Sequence, residues 1–126
     1  MIGLIHLSAG RRGLALDHYR RGHGLAHDLR ITEVEVEALA GIALLTRNVD
    51  LALRAIELAR ERGMRLHEAN TLNTLAEIRL EVGDGERARA TAEKALTMNQ
   101  GLGAKPGRDK ALELLERAAA AEASTG

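Results

Sequence analysis

Two histidines four residues apart, His23 and His27, are the first residues in the chain that could bind a metal ion. On a helix they would share one side, where such a pair can hold zinc or nickel, but a protein site normally needs a third ligand. Asp28 would lie about 100° around the helix from His27, and no glutamate follows His23 as it does in metalloproteases. We therefore expect solvated or partly packed imidazoles here and no metal site. The remaining histidines stand alone in the sequence and predict no site: His6, His18 and His67.

A polar stripe between residues 70 and 81 is a stronger candidate for ligand binding. Its side chains would lie about 60–140° around a helix from Ala76, on one edge of the buried face. The stripe consists of Asn70, Asn73, Glu77 and Glu81. The corresponding edge of the preceding repeat contributes Glu37 and Gly41. Because the glutamates would repel a terminal carboxylate, a basic or mixed peptide segment is the expected ligand, and the alternative is a merely solvated stripe.

The sequence contains no arrangement typical of catalysis. It has no glycine-rich phosphate loop, no Gly-x-Ser-x-Gly turn and no evident pair of catalytic acids. The absence of cysteine excludes a disulfide framework, a thiol nucleophile and cysteine-based zinc or iron–sulfur sites. We expect a protein that is not an enzyme and that has no cofactor, no bound metal and no catalytic residue.

Composition favours an all-α fold. The chain of 126 residues is 45% apolar, yet its only aromatic residue is Tyr19 and its only proline is Pro106. A core of leucine, isoleucine, valine and many alanines suits helices packed closely side by side, rather than a β-sandwich or barrel. A single domain of this length is large enough to bury a sizeable core.

The charges exclude some classes of partner. The charges of eighteen basic and eighteen acidic residues cancel. The only cluster of basic residues that could contact a nucleic-acid backbone consists of Arg11, Arg12, Arg20 and Arg21. Such a cluster is more typical of a solvated surface, so no direct nucleic-acid contact is expected. The apolar start "MIGLIHLSAG" is too short to span a bilayer. We expect no membrane association and a cytoplasmic protein.

Small residues recur at matching positions in three segments of the sequence. They form columns about 36–37 residues apart: Gly3, Ala40 and Ala76; Ala15, Ala52 and Ala88; Gly22, Ala59 and Ala95. A glycine or alanine allows a neighbouring helix to approach closely. Each copy is therefore predicted to be an antiparallel helix pair, with turns near Gly10, Arg47–Asn48 and Gly83–Asp84.

Local signals agree with this repeat, with one conflict. Thr32 and Glu35 have the spacing of a capping box, Asp84 can cap a helix that starts at Gly85, and Gly63 can end a helix in a left-handed conformation. "ITEVEVEAL" alternates polar and apolar residues, which taken alone favours a strand. Its alignment with the third copy favours a helix, and we expect the helix.

The repeat resembles the tetratricopeptide repeat over nearly the whole chain. The small-residue signature is present, as is the turn pattern G-x-x-x-x-A from Gly10 to Ala15 and from Gly83 to Ala88. The repeat is longer than is usual in the family, and Arg47 replaces a turn glycine. The resemblance implies an α-α superhelix in which the first helix of each pair lines a concave groove. Asparagines there resemble those that hold a peptide backbone.

Segments such as "EANTLNTLAEIRLEVGD" and "RARATAEKAL" resemble the C-terminal repeat arrays of SARP-type bacterial transcriptional activators more closely than they resemble the general repeat. That likeness implies a regulatory, protein-binding module of a signalling protein, whose partner is a peptide segment or another domain of its parent regulator. A structural scaffold of another bacterial signalling protein is the alternative.

The repeat defines the expected organisation: repeat one at 1–30, repeat two at 31–65, repeat three at 66–102, a link at 103–107, a capping helix at 108–123 and a disordered tail at 124–126. In the capping helix, Leu112, Leu115 and Ala119 are expected to face inward. Met1 aligns with the middle of the equivalent helices, so the first helix is expected to be shortened and the chain to be part of a longer array. Its uncovered apolar residues, Ile2 to Leu7, would then favour a homodimer.

Overall fold

The computed structural model describes Leu16, residues 19–21 and residues 32–125. Five helices fill the range 32–125, and the described residues contain no strand. We number these helices α1 (Thr32–Thr46), α2 (Val49–Glu61), α3 (Arg65–Glu81), α4 (Gly85–Leu102) and α5 (Lys105–Thr125). The all-α prediction is confirmed, and the segment from Thr32 to Leu39, whose polarity alternates, is helical.

The helices pack in neighbouring pairs, as in a helical repeat fold. Each helix contacts the next one in the sequence, and connections of two or three residues make consecutive helices antiparallel. The odd-numbered helices also contact each other in order, α1 with α3 and α3 with α5, whereas α2 and α4 make no packing contact with each other. The α3 helix is therefore the centre of the described part of the protein, since it touches the other four helices.

The predicted small-residue columns lie in the helix interfaces. Five of their six described members are at most 1% exposed: Ala52, Ala59, Ala76, Ala88 and Ala95. The sixth, Ala40, is half-buried. The larger apolar residues repeat as well, because Val36, Leu39 and Ile42 on α1 and Leu72, Leu75 and Ile78 on α3 are all buried at an offset of 36 residues. This buried face explains why a sequence with period-two polarity folds as a helix.

All four turns between the helices use the same hydrogen-bond pattern. An amide donates to a carbonyl five residues earlier at 2.8–2.9 Å, at Asn48, Met64, Asp84 and Ala104. The residue before each of these is left-handed, with φ of 53° at Arg47, 69° at Gly63, 85° at Gly83 and 66° at Gly103. These are Schellman turns, which satisfy the last carbonyls of each helix. The predicted turns at Arg47–Asn48 and Gly83–Asp84 and the left-handed Gly63 are thus confirmed.

The predicted caps are found in part. Asp84 caps α4 by accepting a hydrogen bond from the amide of Arg87 at 3.2 Å. Asn48 caps α2 in the same way, accepting from the amide of Leu51 at 3.1 Å. Thr32 was expected to be the N-cap residue that precedes α1, but it is the first residue of that helix.

The last helix differs from the prediction at both ends. It begins at Lys105, so Gly103 and Ala104 alone form the link that was expected to cover 103–107, and it runs to Thr125 rather than ending at 123. Pro106 lies in the first turn of α5, where its fixed φ suits a helix and its missing amide proton costs no hydrogen bond. A proline that the sequence suggested as part of a flexible link therefore helps to start the helix.

The buried face of α5 is offset by one residue from the predicted face. The buried residues are Gly107, Ala111, Leu114 and Ala118, whereas Leu112 is 44% exposed and Ala119 is exposed. Gly107 sets this register, because its carbonyl accepts a hydrogen bond from Asn73 Nδ2 at 3.0 Å, and a Cβ added to it would lie 2.0 Å from Asn99 Oδ1. The expectation of Leu112, Leu115 and Ala119 as the inward residues was wrong, although Leu115 is half-buried.

Some predictions concern residues that lie outside the described parts of the chain. These are the first repeat with its shortened helix, the turn near Gly10, the His23/His27 pair and the dimer surface from Ile2 to Leu7.

Two glycine substitutions should have opposite effects on stability. Gly107→Ala should lower the free energy of unfolding by about 1–3 kcal/mol, because the added methyl group would overlap the buried Asn99 side chain. Gly101→Ala, in a helical position with no atom near the added Cβ, should raise it by about 0.5–1 kcal/mol. Urea unfolding followed by circular dichroism measures both values. Equal stabilisation by the two changes would contradict the close approach at Gly107.

Arg47→Gly should raise the free energy of unfolding by about 0.5–1 kcal/mol. A left-handed conformation costs a residue with a Cβ about 1–2 kcal/mol. The gain is partly offset by the loss of the exposed ion pair from Arg47 Nε to Glu81 Oε2 at 3.1 Å and by the more flexible unfolded chain. Glu81→Gln, measured in the same urea series, gives the contribution of the ion pair alone. A glycine variant less stable than Glu81→Gln would show that Arg47 is not strained.

Candidate functional site

A cleft of about 230 Å³ lies between α1 and α3 and is bordered by Tyr19 from the preceding segment. The Tyr19 ring packs on the backbone of α1 at Gly41, since a Cβ added to Gly41 would lie 2.6 Å from two ring carbons. The absence of a side chain at Gly41 is thus what allows the one aromatic residue of the chain to reach this helix. In the rest of the cleft wall, α1 contributes mostly apolar groups and α3 contributes polar groups: Val36, Glu37, Ala40 and Leu44 from α1, and His67, Asn70, Thr71 and Thr74 from α3.

Two carboxylates of α1 meet the imidazole of α3 at the edge of this cleft. His67 Nε2 lies 3.3 Å from Glu33 Oε1 and 3.5 Å from Glu37 Oε1. Glu33 and Glu37 are one helical turn apart and therefore share a face of α1, whereas His67 comes from the first turn of α3. Sequence reasoning gave His67 no role, because its neighbours in space are 30 or more residues away in the sequence.

Tyr19 is electrostatically coupled to the same cluster. Burial raises the pKa of the Tyr19 hydroxyl above its usual value, and the negative charge of Glu37 raises this pKa further. The cleft therefore favours the neutral phenol, which can donate a hydrogen bond to a ligand.

A second cleft of similar size continues along α3 toward α5. It has a volume of about 250 Å³ and shares Asn70 and Thr74 with the first cleft. Its other walls come from α3 and from the start of α5: Asn73, Glu77, Pro106, Gly107 and Lys110. We call the surface of α1, α3 and α5 that carries both clefts the odd-helix face.

Several residues of the predicted stripe are engaged in holding helices together. Asn73 is 6% exposed, and its Nδ2 donates to the carbonyl of Gly107 on α5. Glu77 Oε1 lies 3.1 Å from Lys110 Nζ. Glu81 is paired with Arg47 in the turn between α1 and α2. These three residues connect α3 to its neighbours, whereas Asn70 is exposed and makes none of these contacts between helices.

The odd-helix face thus unites most of the predicted residues, in two groups. Glu37, Gly41 and Asn70 line the first cleft, while Asn70, Asn73 and Glu77 line the second. Glu81 lies in neither. Sequence reasoning missed Tyr19, Glu33 and His67, although the position of Tyr19 between two small-residue columns could have indicated a packing role.

Negative charge is in excess at the α1 end of this face. Glu77 and Glu81 are each paired with a cationic side chain of their own. Glu33 and Glu37 share one imidazole, which is their sole ion-pair partner among the described residues. Two carboxylates therefore face a single imidazole there, so acidic groups outnumber basic groups in this cluster.

A larger groove lies on the opposite side of α3. It occupies about 920 Å³ between α2 and α4, and its floor includes Ile56, Leu72, Leu75 and Met98. At about 100° per residue, Leu72 and Leu75 lie roughly 140–200° around α3 from Asn70. The groove arises because α2 and α4 do not touch, and the spacing of residues within one helix could not have predicted it.

No family model and no curated protein matches the sequence. Among the helices of the described residues, none combines the length and the apolar character needed to cross a bilayer. The geometry of the odd-helix face is therefore the main guide to function.

The ionisation of Tyr19 tests the geometry of the first cleft. Because Tyr19 is the only tyrosine and tryptophan is absent, tyrosinate absorbance in a pH titration reports this residue alone. We expect its pKa to lie above that of free tyrosine, about 10, and to fall in Glu37→Gln, which removes a negative charge. Since the folded-state pKa is raised, stability should decrease as the pH rises from the unfolded to the folded pKa of Tyr19.

Glu57→Gln is the matched control for this titration, because it removes an exposed carboxylate from the groove between α2 and α4. The pKa of Tyr19 should stay unchanged in this variant. A Tyr19 pKa equal to that of free tyrosine in the unmodified chain would contradict the packing of its ring against α1.

Proposed function

We propose that this chain is a non-catalytic module that binds a basic polypeptide segment on its odd-helix face. The observation that carries this proposal is the excess of carboxylates at the α1 end, next to a cleft with an aromatic ring and an exposed amide. Lysine or arginine side chains of the segment would lie near Glu33 and Glu37. Its backbone could exchange hydrogen bonds with Asn70, the exposed asparagine of α3.

The repeat supports a tetratricopeptide-like module as the form of this protein. Antiparallel helix pairs, buried small residues at an offset of 36 and left-handed turn residues are features that such arrays require. The segments that resemble those of SARP-type activators suggest the regulatory part of a transcriptional regulator in a signalling pathway. On this proposal the partner is a basic segment of the parent regulator or of a protein that controls it.

The side-chain contacts favour binding over catalysis. In the second cleft, Asn73 is hydrogen-bonded to Gly107 and Glu77 is paired with Lys110, so these polar groups already hold the fold together. In the first cleft, Glu37 lies beside an imidazole on an exposed helix surface, where a substrate would remain hydrated. A proton donor works best in a site that excludes water, and a shallow surface cleft suits a peptide better than a reaction.

The proposal is tested with two synthetic peptides of 12 residues, one alternating lysine and alanine and the other alternating glutamate and alanine. The basic peptide should shift amide resonances of the isotope-labelled chain at residues 33–41 and 67–74, and the acidic peptide should not. Glu37→Gln combined with Asn70→Ala should weaken binding about 10-fold to 30-fold, since an ion pair and a hydrogen bond each contribute on the order of 1 kcal/mol. A chelator in the buffer removes metal ions from this measurement.

The control variant is Glu57→Gln, which removes a carboxylate from the opposite groove and should leave the affinity unchanged. Asn73→Ala is unsuitable here, because it would break the buried hydrogen bond between α3 and α5. Equal binding of both peptides, or shifts confined to the groove between α2 and α4, would contradict the odd-helix face as the binding surface.

A further inference from the structure

The geometry points to a second ligand of this protein: we propose that Glu33, Glu37 and His67 bind a divalent transition-metal ion of the zinc class. The three side chains come from two helices and offer one imidazole nitrogen and two carboxylate oxygens, which all lie within 4.8 Å of one another. The argument for this site does not rest on peptide binding, since the site needs only the contact between α1 and α3.

The distances between the ligand atoms fit a tetrahedral ion. Zinc is bound at about 2.0–2.2 Å by nitrogen and oxygen ligands, which places neighbouring ligand atoms of a tetrahedron about 3.3–3.6 Å apart. The two distances from His67 Nε2, 3.3 and 3.5 Å, fall in this range. The two carboxylates offer oxygens within 4.8 Å of each other, so small side-chain rotations would bring the three ligand atoms to three corners of a tetrahedron. The fourth corner would be left for water or for a donor from a partner.

The surroundings of the three side chains differ in a way that suits metal binding. The His67 side chain is only 19% exposed and is held in the wall of the Tyr19 cleft. The side chains of Glu33 and Glu37 are 65% and 56% exposed. The imidazole is thus held in place in advance, while the two carboxylates are free to adjust their position around an ion by small rotations.

The donor set selects the class of metal. One imidazole and two carboxylates suit zinc and its neighbours in the transition series, whereas calcium and magnesium prefer ligands that are all oxygen. Two carboxylates and a neutral imidazole carry a charge of −2, which a divalent cation neutralises. A bound proton on His67 would also join the two carboxylates, so the experiment must distinguish a metal site from a simple ion pair.

Isothermal titration with zinc chloride tests the site, using the full chain without a purification tag and after removal of metal by a chelator. We expect one high-affinity ion per chain. His67→Gln should weaken this binding at least 10-fold, and so should Glu33→Gln and Glu37→Gln. The fluorescence of Tyr19, the only aromatic residue, should change on zinc addition in the unmodified chain and not in His67→Gln. Circular dichroism verifies that the variants remain folded.

Two controls separate this site from other candidates. Glu57→Gln, on α2, should bind zinc as the unmodified chain does. The variant His23→Gln/His27→Gln, which removes the histidine pair outside the described residues, should also keep its one ion per chain. Unchanged affinity in His67→Gln, loss of the ion in the His23/His27 variant, or no zinc binding by the unmodified chain would each overturn the proposal.

Discussion

The helices of this protein pack closely because many residues at their interfaces have almost no side chain. Ala59, Ala76 and Ala95 are completely buried, so the neighbouring backbones can approach each other closely at these positions. Such interfaces tolerate little added volume. The same constraint acts where function is proposed, because Gly41 admits the Tyr19 ring and Gly107 admits Asn99. In both places, the absence of a glycine side chain is what makes the specific contact possible.

The central position of α3 places packing contacts and the proposed binding surface on one helix. Its side facing α2 and α4 supplies buried apolar residues such as Leu75, while its opposite side carries the polar stripe. Three members of that stripe bind neighbouring elements, since Asn73 contacts α5, Glu77 contacts Lys110 and Glu81 contacts Arg47. Most of the polar stripe therefore holds the helices together, and its remaining member, Asn70, is the part proposed to bind a ligand. Asn70, which is exposed, is better placed for a ligand than the buried Asn73.

Most of the fold could be predicted from the sequence, because the repeat copies its buried positions and its turn residues. The offset of 36 residues identified α1 as a helix despite its alternating polarity, and glycine at the turns indicated where helices end. The register of α5 could not be predicted, since it depends on a contact between Gly107 and Asn99 that no spacing within α5 reveals. The cluster around His67 was missed for the same reason. Its three side chains belong to different helices, and only the packing of α1 on α3 brings them together.

The two proposed ligands, a basic segment and a divalent cation, would bind the same two carboxylates, so the binding of one affects the binding of the other. Glu33 and Glu37 would attract the lysine or arginine side chains of a basic segment, and a divalent cation bound between them would cancel that attraction. Binding free energies are reciprocal, so the factor by which the cation lowers the affinity for a basic segment is also the factor by which that segment lowers the affinity for the cation. A partner that carries a histidine or a carboxylate differs in this respect. It could occupy the fourth coordination position, and for that partner the same cation would increase the affinity.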